Sequence, residues 1–350
     1  MSSPAPPPPR SRANRTARLL VAVVLAGAAA GLIGIAMARL LEGFEWLFYG
    51  VREGALPERV EAAPVWRRVL APAVGGALAG ALWWWERATG GVVGVETAVR
   101  DGSGTTVRRM GLVRPFADGV LQVLTVGAGN SVGREGAPRL MAGAVAARLA
   151  RWLDLEAGTT TLLVASAAGA GLAAMYNVPL GGTAFAVEIT MVAGTRRRGV
   201  LLALPVSVIA TVVSWLLSRG RATFDVAVGA PTAATVVAAL TAVPVFLVLG
   251  AGARSLWAWF RAHRLPSTWA LPVGIGAAGA LTGAASLWLP VLPGNGRDAL
   301  EAALASPTTR TALVALAGVV VLKPLLTGAT LGAGATGGLL APSFALGGSA

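Results

Sequence analysis

Seven stretches of the chain are almost unbroken apolar runs: residues 17–41, 69–85, 160–175, 199–217, 234–253, 268–289 and 311–331. Each is near the roughly 20 residues that a helix needs to cross a bilayer core. A helix on a soluble protein keeps a polar face opposite its buried stripe, and these runs have too few polar positions for one. The pattern predicts an all-α polytopic membrane protein. The opposite pattern opens the chain. MSSPAPPPPRSRANR is polar and proline-rich, which suits a disordered tail, assigned here to residues 1–16. The run that follows is long and lacks a typical cleavage site, so it reads as a first membrane helix rather than a signal peptide.

Composition supports this class. The chain is 55% hydrophobic and 13% charged, whereas soluble domains carry about 25% charged residues. The net charge of +13 reads first as topology. Arg10, Arg12, Arg15 and Arg18 flank the first run, and Arg196–Arg198 flank another. Basic flanks stay on the cytoplasmic side, which predicts a multi-pass protein of the cell membrane with a cytoplasmic N-terminus. Aromatic-studded basic repeats are absent, which argues against nucleic acid as a partner. The lack of cysteine removes disulfides, iron–sulfur clusters and thiolate zinc. The only histidine, His263, falls at a helix end in FRAHRLP. No metal or cofactor is expected. Nor is an enzyme: the sequence suggests no nucleophile–base pair, and GREG lacks the Lys-Ser/Thr of a phosphate loop.

A weak internal repeat appears at a spacing of about 200 residues. APAVGGALAG (71–80) matches LPVGIGAAGA (271–280), pairing Pro72 with Pro272 and Gly76 with Gly276. EGAPRLMAGA (135–144) matches LLAPSFALGG (339–348), pairing Pro138 with Pro342. Transporter repeats of this kind often have inverted topology. The expected organisation is a first membrane half at residues 17–219 and a second at 220–350. Only eight residues follow Pro342, so the second half is expected to be truncated relative to the first.

Many of the 46 glycines lie in small-residue faces such as VGGALAG (74–80), which let helices approach closely in lipid. Three others precede helix starts: GGVVGVETAV (90–99), GREGAPRLMAG (133–143) and TGGLLAPSFALGG (336–348). Glycine brings backbone N–H groups close to a ligand, and the unpaired N–H groups of a first helical turn favour an anion. Three such starts converging would make an anion path from partial charges, which release an anion more readily than a lysine. The expected path residues are Val93, Gly94, Gly133, Arg134, Gly136, Gly338, Leu339 and Leu340. Glu135 has two readings at this stage. Its carboxylate either occupies the anion's place and gates the path, or pairs structurally with an arginine such as Arg134.

GREGAP at 133–138, AAGAGLAAMYNVPLGGTAFAVE at 167–188 and GGLLAP at 337–342 resemble, in that order, signatures of the CLC family of chloride channels and chloride/proton antiporters. The resemblance covers residues 17–350. It implies an inverted repeat of tilted helices, a homodimer in the lipid bilayer, chloride or another small anion as substrate, and Glu135 as the outer gating glutamate. Protons are a possible second substrate, with Glu188 as a candidate for their path. The family's inner glutamate falls at Ile189, and its phenylalanine in the last signature is Leu340. Its first signature carries an anion-coordinating serine. The GSG at 102–104 sits too close to Glu135 to be that signature, so Val93 takes the serine's place. The resemblance implies chloride transport. The alternatives are a fluoride/proton exchanger of the same family and a truncated remnant that does not conduct.

Overall fold

The structure, a computed structural model, describes residues 12–101, 104–218, 232–305 and 309–350. Its helices are α1 (Arg12–Tyr49), α2 (Leu56–Ala62), α3 (Val65–Ala88), α4 (Val95–Arg100), α5 (Thr105–Arg109), α6 (Val113–Gly127), α7 (Gly136–Trp152) and α8 (Ala157–Tyr176). Then come α9 (Pro179–Phe185), α10 (Arg196–Leu217), α11 (Ala233–Ala262), α12 (Ala270–Ala285), α13 (Arg297–Leu304), α14 (Arg310–Gly332) and α15 (Leu340–Ser349). Among the described residues, five helical stretches are long and apolar enough to cross a membrane: Ala13–Tyr49, Ala157–Tyr176, Ala193–Leu217, Ala233–Ala262 and Arg310–Gly332. The protein is an all-α, multi-pass membrane protein.

The helices depart from the apolar runs in instructive ways. At 38 residues, α1 is about 57 Å long, well beyond a core of about 30 Å. It starts at Arg12, so residues 12–16 are helical where the sequence suggests tail; residues 1–11 lie outside the described set. Ser103, of the GSG stretch, also lies outside it. The run at 268–289 yields a helix only to Ala285, where Ser286 turns its hydroxyl onto the Gly283 carbonyl at 2.6 Å. Helices α6 and α7 correspond to no apolar run. Asp118, Gln122, Arg139 and Arg148 interrupt them, and much of both is packed inside the protein.

The described residues pack as two compact units. The first draws on Met1–Ile35, Val93–Pro115 and Arg139–Gly220. In it α8 and α9 meet glycine to glycine: a Cβ on Gly169 would fall 2.3 Å from the Gly182 carbonyl oxygen, and one on Gly182 2.5 Å from that of Gly169. Arg139 forms an ion pair with Glu96 and lies 4.3 Å over the Phe185 ring.

The second unit draws on Ala36–Val92, Phe116–Pro138 and Arg221–Ala350. Its centre is the pairing of α3 with α12, the two helices matched by the sequence repeat. Small residues bring their backbones together. A Cβ on Gly279 would meet the Pro72 carbonyl oxygen at 2.1 Å, and one on Gly76 would meet that of Ile275 at 2.6 Å. Such close approach is what replaces the hydrophobic effect between helices in lipid.

Lys323 stands out in this unit. It sits inside α14 with no exposed surface, and its Nζ donates to the carbonyls of Leu292 at 2.6 Å and Gly294 at 2.7 Å. It thereby clamps the turn leading into α13. Lys323→Met leaves both carbonyls buried without this donor, at about 1–3 kcal/mol each. The variant is expected to unfold at a clearly lower temperature in detergent. An unchanged melting temperature would show that the clamp contributes nothing.

Candidate functional site

The segment between α6 and α7 is held from several sides. Tyr49 donates its hydroxyl to the Ala128 carbonyl at 3.1 Å, and the Asn130 amide donates to the Pro72 carbonyl at 2.8 Å. The Ser131 and Thr327 hydroxyls meet at 3.0 Å. Gly129 turns the chain at φ +106°, a conformation that glycine adopts without strain. Val132 packs with Val126 and Leu331.

So braced, Gly133 and Gly338 form a two-residue antiparallel bridge. Gly133 N–H donates to the Gly338 carbonyl at 2.9 Å, and Gly338 N–H returns to Gly133 at 2.7 Å. Two signature loops, far apart in sequence, are tied together. Glu135 then turns its carboxylate onto the start of α15, where Ala341 N–H donates to Oε1 at 2.9 Å. Ala341 is the second residue of that helix, and a first-turn N–H has no partner within its own helix. The carboxylate is only 2% exposed. Both bridge glycines are its walls: a Cβ on either would fall 2.0 Å from Oε2.

The residues expected from the sequence fall into separate places. Gly133, Glu135 and Gly338 meet directly, and Leu339 and Leu340 lead into α15. In this state the N–H groups of Gly133 and Gly338 face each other's carbonyl rather than a ligand. Gly136 opens α7, with the Gln122 side chain against it. Arg134 is buried and its side chain lines a cavity of about 220 Å³ shared with Glu45, Arg59, Asn295, Asp298 and Glu301. There Arg59 pairs with Glu45 at 3.0 Å. Burial, followed by the neighbouring Glu301, holds the Asp298 carboxyl above its usual range, against the pull of Arg297 and Lys323. Val93 and Gly94 belong to the first unit, half-buried just before the six-residue α4. Glu188 belongs there too, exposed on a π-helical turn, Ala186–Thr190.

A family model described as "Voltage gated chloride channel" matches residues 75–350. The chain belongs to the CLC family. Among CLC relatives it is similar to the ClC-type chloride channel ClcB of Citrobacter koseri, 31% identical over 350 residues, covering 94% of this chain and 78% of the relative. ClcB of Salmonella typhimurium is 28% identical over 338 residues, with the same coverage. Among solved CLC structures, a slow cyanobacterial Cl⁻/H⁺ antiporter superposes with TM-score 0.71 at 23% identity, covering 94% of this chain and 77% of that one. A CLC-type fluoride/proton antiporter gives 0.69 at 20%, covering 97% and 81%. The fold is therefore that of a CLC protein.

Four residues around this CLC site carried little signal in the sequence. Lys323 sits inside an apolar run and Tyr49 lies eight residues beyond one, and nothing local distinguishes either from a chance polar residue. Asp118 and Gln122 are four apart on α6, a spacing that places them on one helix face. That spacing was the only hint available.

Proposed function

We propose that this protein carries chloride across the membrane along a path lined by helix N-termini, with Glu135 as its gate. The observation that carries the reading is the 2.9 Å hydrogen bond from Ala341 N–H to Glu135. The carboxylate occupies the kind of place where a small anion is held by backbone donors and a helix dipole. While ionised it blocks that place. Once protonated it loses its attraction to the donors, swings away, and chloride enters. Partial charges bind chloride loosely enough for it to leave again. Gly133, Arg134 and Gly136 before and at α7, and Gly338, Leu339 and Leu340 before and at α15 supply the path's backbone. The halves 17–219 and 220–350 form the inverted repeat. The working protein is a homodimer in the bilayer with its N-terminus in the cytoplasm, and it carries out no enzymatic reaction.

Ile189 cannot hold a proton, and its neighbour Glu188 leaves the helix at a different angle. Transport is therefore channel-like, with no tight coupling to protons. One observation favours fluoride as a second reading: Val93 offers no hydroxyl to an anion. Efflux from reconstituted liposomes tests the proposal. Chloride efflux without uphill proton movement is the expected result. Fluoride efflux alone would transfer the assignment to the second reading, tight proton pumping would refute the channel-like mode, and no flux of either anion would refute transport.

A further inference from the structure

The start of α7 has a polar neighbour that the proposed gate does not use. Gln122 is 1% exposed, and its Oε1 has no hydrogen-bond partner among the described residues. That oxygen points at Gly136, where a Cβ would fall 2.4 Å away. Gly136 opens the 17-residue α7, immediately after Glu135. The other end of the amide, Nε2, donates to Asp118 Oδ2 at 2.7 Å. Asp118 Oδ1 accepts from Trp83 Nε1 at 2.7 Å. An unpartnered acceptor is the wrong group to aim at a place built for an anion.

Asp118 decides which end of the amide faces α7. An ionised carboxylate only accepts hydrogen bonds, so it holds Nε2 and leaves Oε1 pointing away. Protonated on Oδ2, it becomes a donor there, while Trp83 stays on Oδ1. The amide then turns over, a change that nearly preserves its shape because O and NH₂ are similar in size. Oε1 now accepts from Asp118, and Nε2 presents an N–H to the start of α7.

We infer that Gln122 is a further anion ligand, delivered by protonation of Asp118 and withdrawn when Asp118 ionises. The inference deepens the proposed function and rests on its placing of the anion path at Gly136. Burial favours the protonated form of Asp118 and holds its carboxyl above the usual range, against the hydrogen bonds from Gln122 and Trp83 and the charge of Arg87, which favour the ionised form. Arg87 is itself held by the Gly334 carbonyl at 2.9 Å and the Thr336 hydroxyl at 3.1 Å, with Glu86 and Arg264 acting on it in turn.

The test is chloride binding to the purified protein by isothermal titration calorimetry, at neutral and acidic pH. A Glu135→Gln background removes the gate's own titration. One hydrogen bond to a charged partner corresponds to roughly tenfold in affinity or more. The background protein is expected to bind chloride about tenfold tighter in acid. Adding Asp118→Asn should give tight binding at both pH values, because the Asn amide donates to Gln122 Oε1 permanently and still accepts from Trp83. Adding Gln122→Leu should give weak binding at both. Affinity that does not change with pH in the background protein overturns the inference. So does a pH dependence that survives Gln122→Leu, which settles the matter even if Asp118→Asn fails to fold. The gate itself is judged separately, by the pH dependence of flux in wild type and Glu135→Gln at saturating chloride, where a tenfold change in affinity does not alter occupancy, so the two readings fail independently.

Discussion

Glu135→Gln is expected to yield chloride flux that no longer falls as pH rises. In the wild type, Glu135 Oε1 takes the Ala341 N–H at 2.9 Å, and the negative charge on that oxygen makes the bond strong. A charge-assisted bond of this kind contributes about 1.5–3 kcal/mol, so losing the charge favours release by roughly 10–100-fold. Acid supplies the same change in the wild type, so wild-type flux should rise on acidification. Glutamine mimics the protonated side chain at every pH. Glu135→Ala removes the plug outright and should behave alike, since alanine leaves the helix start open. The measurement is chloride efflux from liposomes across the pH range at saturating chloride, where the pH-dependent affinity assigned to Gln122 does not limit flux. A variant that keeps the wild-type pH dependence would make Glu135 a structural charge.

Gly338→Ala should have an effect nearly as large by a different route. The added Cβ falls 2.0 Å from Glu135 Oε2 and 3.1 Å from Cδ. What it meets is the far end of a flexible side chain, so the carboxylate moves and the backbone stays. The gate is evicted without being neutralised. The expected result is pH-independent flux at saturating chloride from a protein that still melts near the wild-type temperature. Gly133→Ala provides the contrast. Its Cβ meets the same carboxylate oxygen but also lies 2.7 Å from the Gly338 carbonyl oxygen, which is locked into the bridge. That variant should lose stability as well as gating. If Gly338→Ala retains wild-type pH dependence, the carboxylate is not the group that sets it.

The membrane class and the position of Glu135 were legible in the chain. Long apolar runs report a lipid surroundings residue by residue, and GREGAP and GGLLAP each mark a helix start by local chemistry alone. The pairing of α3 with α12 was foreshadowed by matched prolines and glycines, because close packing demands small residues on both partners. Helices α6 and α7 were not legible in the apolar runs. Asp118 and Gln122 on α6 are buried inside the protein, so the hydropathy pattern breaks where the site is built.

The sequence by itself determined that the chain crosses a membrane through long apolar segments, where glycines precede helix starts, and which carboxylate lies among glycines. These are local properties, set by side-chain solvation and by glycine's missing Cβ. Only the tertiary structure decided what that carboxylate holds. Its donor, Ala341, is 206 residues away, and the Gly133–Gly338 bridge joins loops almost as distant. The same is true of the Leu292 and Gly294 carbonyls on Lys323 and of Trp83 on Asp118. A buried polar group must find a partner wherever packing brings one, and no periodicity along the chain records which partner that will be.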